Sequence, residues 1–154
     1  MQEELGAWNN GKGIDLEGWI CGSGNFSLAV GYTTIFCPEF SEFEDYIFSG
    51  EALDEGGIQT LRGFESQEGS TPMSVEWVLN HIHIGDIHSL GCEDLTADKI
   101  VVLGECLKKI YEARLSYLFP EKPCTVEFYK PEDPDDLDQY QLSFWQNKHV
   151  PPNA

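Results

Sequence analysis

The stretch from Thr96 to about Leu118 constrains this chain most. Ile100, Leu103, Leu107 and Ile110 recur at helical spacing along one face, with Cys106, Ala113 and Tyr117 beside them. Glu105 and Lys109 form a favourably ordered i,i+4 pair on the wet side. Pro120 and Pro123 then forbid continuation. So long an amphipathic helix must lay its apolar face on something, and the residues after the prolines provide it. Cys124, Val126 and Phe128 alternate onto one face of a strand, and Tyr140, Leu142 and Phe144 onto one face of a second. Pro131 to Asp138, between them, is too long for a tight hairpin turn. The expected fold is α+β, helices packed on a small antiparallel sheet with a C-terminal β-hairpin.

Upstream, Thr71-Pro72 is a strong helix start, with the Thr hydroxyl as N-cap and Pro at the first helical position. Val75, Val78, Leu79 and Ile82 continue it as a stripe, and Gly85 supplies a stop, so a helix is expected over 72–84. Phe40 to Phe48 is aromatic and β-branched and predicts one strand entering from Pro38. Glu51 to Phe64 is weakly helical and interrupted by Gly56-Gly57. Phe26 to Phe36 is ambiguous between strand and helix; Asn25 as a cap and Pro38 beyond its end favour helix. Asp15 caps a short helix over Leu16 to Ile20, halted by the run Gly22 to Asn25, and Asn9 to Gly13 is a turn. With 154 residues, one core is the economical arrangement, giving a single domain over 1–149 and a frayed tail over 150–154.

Charge excludes more functions than any motif supplies. Against 27 Asp and Glu stand 9 Lys and Arg, a formal net charge of -18. The acid is spread along the chain, with local concentrations at Glu39, Glu42, Glu44 and Asp45 and at Glu132, Asp133, Asp135, Asp136 and Asp138. Such a field repels nucleic acid and anionic membranes and attracts cationic partners. Hydrophobic residues at 41% suffice for a core, so the charge does not imply disorder. The five cysteines (Cys21, Cys37, Cys92, Cys106 and Cys124) are widely spaced without a C-x-x-C, which argues against a disulfide framework or a four-thiolate zinc site. With no signal-peptide pattern at Met1 and no spanning apolar run, the expected compartment is the cytoplasm.

Three constellations invite chemistry. Asn80 to His88 holds His81, His83, His88 and Asp86, a donor set suited to zinc and the basis of an alternative reading as a small metal-dependent hydrolase. Its spacing, H-x-H-x-x-D-x-H, departs from the H-x-H-x-D-H run of metallo-β-lactamase-like hydrolases. On a helix, His81 and His83 would project about 200° apart and could not share a metal; they are expected instead to complement the last turn and reach its free carbonyls. The loop Glu132 to Asp138 lacks the EF-hand's Gly and Glu, since counting from Asp133 puts Asp138 sixth and Phe144 twelfth. Gly22-Ser23-Gly24 is not a nucleophile elbow, and there is no P-loop or dinucleotide fingerprint. No catalytic residue, metal ligand or cofactor is assigned.

The leading expectation is a non-catalytic acidic protein that neutralises a basic protein partner, most concretely an immunity protein or inhibitor of a cationic nuclease toxin. Its docking residues would be the two acidic clusters together with Trp145, expected on the outward face of the last strand as an aromatic anchor.

Overall fold

The computed structural model describes residues 1–88 and 92–151. The chain divides into two compact units, Met1–Cys37 and Pro38–Ala154. Together their described residues form an α+β structure of six α-helices and two small antiparallel sheets.

The first unit is three short helices: α1 (Gln2–Gly11), α2 (Leu16–Ser23) and α3 (Phe26–Phe36). The expected turn at Asn9 to Gly13 is present. It distorts the end of α1, where Asn9, Asn10, Gly11 and Gly13 all take positive φ. Asp15 caps α2 through a 2.8 Å bond from the Gly18 amide, and α2 runs on through Gly22 before Gly24 ends it. Asn25 accepts from the Ser27 and Leu28 amides, which resolves the ambiguity of 26–36 in favour of helix.

In the second unit, the long helix α6 (Ala97–Leu118) follows Thr96 as its N-cap residue and ends before the prolines, as its pattern predicts. Its buried residues Ile100, Leu107, Tyr111 and Leu115 face a three-stranded sheet of β3 (Ile82–His83), β4 (Cys124–Tyr129) and β5 (Gln141–Gln146), ordered β3-β5-β4. The alternating strands pair antiparallel, Val126 opposite Phe144 and Phe128 opposite Leu142. Phe40 joins Tyr111 and Phe144 in an edge-to-face cluster with centroids 5.4 and 5.3 Å away. Gly104 sits against Phe128 so closely that an added Cβ would lie 2.3 Å from the ring, so the helix needs a residue without a side chain there.

Two secondary-structure expectations fail for identifiable reasons. Phe40 to Phe48 is a hairpin, β1 (Phe40–Phe43) and β2 (Tyr46–Ser49), with a two-residue turn at Glu44 and Asp45. Glu44 takes φ 53°, a left-handed conformation that the apolar pattern of the flanks gave no hint of. The helix expected over 72–84 is shorter: α5 covers Pro72–Leu79, and Ile82 and His83 leave it to pair with Leu142 and Gln141 of β5. Its start is as expected, with a capping box between Thr71 and Ser74. The weak helix is α4 (Glu55–Glu65), where Gly56 and Gly57 fall in the first turn; the Gly57 amide donates to the capping Asp54 at 2.8 Å. Of the tail expected to fray, residues 152–154 lie outside the described residues.

β5 is central and covered on both sides. Its inward set Tyr140, Leu142 and Phe144 is buried, and Ser143 on the opposite face donates to the Trp77 carbonyl of α5 at 2.7 Å. Trp145 does alternate onto that opposite face, but α5 packs on this strand and Trp145 is only 7% exposed. The solvent-facing position expected for it is therefore not found: a central strand sandwiched between helices has no outward face.

Candidate functional site

The polar residues that organise the second unit are Glu76 of α5 and Asn80, which caps the end of that helix one turn on; both are buried. Glu76 Oε1 accepts from the Ile47 amide of β2 at 3.0 Å and from Gln146 Nε2 at 2.6 Å. Its Oε2 accepts from the Gln146 amide at 2.7 Å and from His149 Nδ1 at 2.9 Å. Four donors and no acceptor is the environment of a carboxylate. Asn80 continues the pattern: its Oδ1 accepts from the Ser49 amide, and its Nδ2 donates to the carbonyls of Ile47 and Phe144. Two side chains of one helix thus satisfy backbone groups on strands of two different sheets, a task usually done by strand pairing.

This network reaches the surface at Asp45. His149 Nε2 lies 3.4 Å from Asp45 Oδ2, and Lys148 Nζ donates to Asp45 Oδ1 at 2.5 Å. These bonds from Lys148 and His149 hold the Asp45 carboxyl below its ordinary range. Nearby, Tyr46 donates its hydroxyl to Glu65 at 2.9 Å; burial first, then the bond to Glu65, pushes the phenol up to about 12. Burial, aided by the charge of Glu76, pushes the Cys124 thiol up to about 11, which keeps it protonated and unreactive as a nucleophile.

The two acidic clusters have different fates. Glu42 is bonded to Lys122, Glu44 to Arg62 and Asp45 to Lys148. Glu39 is exposed and makes no ion pair among the described residues. In the second cluster, Glu132, Asp133, Asp135, Asp136 and Asp138 are all exposed, and none is ion-paired among the described residues. That loop is nonetheless ordered by its own turns. Asp133 Oδ1 accepts from the Asp135 amide at 3.0 Å, the Asp136 and Gln139 amides close successive turns, and Tyr140 donates to the Pro134 carbonyl at 3.2 Å.

The histidine segment is rearranged by the early end of α5. His81 Nδ1 lies 2.5 Å from the Val78 carbonyl, the contact with the last helical turn that its position predicts. His83, placed on β3 instead, bonds through Nδ1 to the Asp138 carbonyl at 2.6 Å. The two rings are not 200° apart; their centroids are 5.2 Å apart, because an extended chain puts residues i and i+2 on the same side. Among the described residues no group of three or more His, Cys, Asp or Glu side chains could hold a metal, so His88 and Asp86 do not complete the hydrolase-like set.

Sequence reasoning passed over Glu76, Asn80, Gln146 and His149. The available signal was a Glu and an Asn four residues apart within the apolar stripe of a strongly capped helix. Comparison with protein-family models, with curated proteins and with solved structures found no match. No helix among the described residues is long and apolar enough to cross a membrane.

Proposed function

We propose that this chain is a non-catalytic acidic binding protein that neutralises a basic protein partner, and that the Glu132–Asp138 loop is its docking surface. The observation that supports this most is the state of those five carboxylates: exposed, gathered in seven residues and not ion-paired among the described residues. Most of the protein's own cations are engaged elsewhere, in pairs such as Lys130 with Glu105 and Lys99 with Asp94. A partner bringing Lys and Arg side chains would therefore meet acids with no competing cation among the described residues. The ordered turns of the loop reduce the entropy lost on docking. The first acidic cluster contributes to long-range steering, while Trp145 is withdrawn from the docking set because it is buried.

The most concrete partner class is a cationic nuclease toxin, whose nucleic-acid-binding basic face this loop would occupy, making the chain an immunity protein or inhibitor. The test is binding to a panel of basic nuclease domains over a salt series, with a triple variant Asp135→Asn, Asp136→Asn, Asp138→Asn alongside. Affinity should fall steeply with salt and at least tenfold in the variant. Affinity indifferent to salt, or equal in the variant, would remove the proposed mechanism.

A further inference from the structure

We propose that His81 and His83 form a two-imidazole site for a divalent transition-metal ion of the Zn2+, Cu2+ and Ni2+ class, whose remaining coordination positions are filled by water. The inference is independent of the docking loop's partner and rests on three features of the ring pair.

The first is separation. An ion bound through two imidazole nitrogens at about 2.0–2.1 Å lies about 3.2 Å from each ring centre. A tetrahedral angle between them then places the centroids about 5.2 Å apart. The observed centroid distance is 5.2 Å, with the rings steeply inclined at 77°.

The second is tautomer. Both Nδ1 atoms face main-chain carbonyls, Val78 and Asp138, and so must carry the proton. This leaves the Nε2 lone pair as the available donor on each ring. A carbonyl bonded to the far ring nitrogen is the usual way a metal-binding histidine is oriented and made more basic. Among the described residues neither Nε2 has a protein partner, and neither is among the buried polar atoms left unsatisfied, so both are open to solvent. Stacking of Trp77 on His81 at 6.0 Å restrains that ring further.

The third is field. The carbonyl that holds His83 belongs to Asp138, at the end of the unpaired acidic loop, so the site stands at the base of the most negative segment of the chain. That placement draws cations to two neutral ligands that have no charge of their own. The preference for imidazole-seeking ions over Mg2+ or Ca2+ follows from the nitrogen donors.

The test uses the full chain with Cys21, Cys37, Cys92 and Cys106 alkylated, so that their thiols cannot compete, while burial keeps the Cys124 thiol protonated. Ni2+ binding is measured by calorimetry, and the histidine ring resonances are followed as Cu2+ is added in trace amounts. One Ni2+ should bind per chain, and the His81 and His83 ring signals should broaden before those of His88 and His149. His81→Gln and His83→Gln keep an N–H for the carbonyl but remove the imidazole; each should weaken Ni2+ at least tenfold. The double variant should be hardly weaker than either single one, and His88→Gln should be unchanged. Far-ultraviolet circular dichroism confirms that the variants are folded. No Ni2+ uptake, broadening at His88 or His149 first, or equal affinity in either single Gln variant would overturn the proposal.

Discussion

The two acidic clusters are alike in composition and opposite in use. Between Glu42 and Asp45 the carboxylates are built into the fold, each bonded to a cation from a distant part of the chain: Lys122, Arg62 and Lys148. Behind them Glu76 takes the same principle into the interior, where its carboxylate holds β2, β5 and His149 together. Between Glu132 and Asp138 the carboxylates hold nothing beyond one local turn bond among the described residues. The contrast teaches that acid content alone does not locate a binding surface. What matters is which acids the fold leaves without internal cations.

The largest way to break the contrast is to remove the acid on which the built-in side depends. Glu76→Ala leaves the Ile47 and Gln146 amides and His149 Nδ1 without their acceptor in a buried site, while the Gln146 side chain keeps only its bond to the Asp45 carbonyl. Leaving a buried donor without its acceptor costs about 1–3 kcal/mol, and several are left at once here, so the loss is about 3 kcal/mol or more. Urea denaturation should show a loss of that order with an unchanged slope. A loss below about 1 kcal/mol would mean that water or a neighbouring side chain replaces the carboxylate.

These positions also mark the boundary of what sequence patterns revealed. The helix before Pro120, the paired alternating strands and the caps at Asp15, Asn25 and Thr71 were all legible, because each is decided by residues within one element. The end of α5 was not. It is set by Asn80 bonding to Ser49, Ile47 and Phe144, all more than thirty residues away in sequence. The proximity of His81 and His83 follows from that same early end, and so does the placement of His83 on β3. The burial of Trp145 was hidden for a related reason: alternation tells which face a side chain takes, not whether a helix covers it. The acidic loop was plain as composition, but its lack of ion pairs depends on where every lysine and arginine ends up.

An intermediate test equalises the charge change and lets pairing alone decide. The triple variants Glu42→Gln, Glu44→Gln, Asp45→Asn and Asp135→Asn, Asp136→Asn, Asp138→Asn each remove three negative charges. Both relieve the same excess of acid, but only the first removes partners from Lys122, Arg62 and Lys148. The first should lower the melting temperature. The loop variant should stay within about 0.5 kcal/mol of the parent, as for surface changes that touch no structural feature, with any shift at low salt toward higher stability. If both variants move stability equally and in the same direction, the built-in cluster is no more structural than the loop.

The smallest effect concerns a single proton. The bonds from Lys148 and His149 hold the Asp45 carboxyl below 3.8, its ordinary value, so protonation is harder in the folded chain than in the unfolded one. The sign follows: Asp45 contributes stability above 3.8, and that contribution disappears as the pH falls through its lowered folded value. Its side chain is 74% exposed, so solvent screening keeps the contribution small. Carboxyl resonances followed by NMR from pH 6 to 2 should show Asp45 titrating below its ordinary value. Lys148→Met removes the stronger of the two bonds and should move that midpoint upward, while His149 continues to hold it partly down. A midpoint unchanged by Lys148→Met would assign the depression to His149 and, through it, to the buried Glu76 network. The surface acid and the interior carboxylate would then be one electrostatic unit, and the contrast with the unpaired loop would be sharper still.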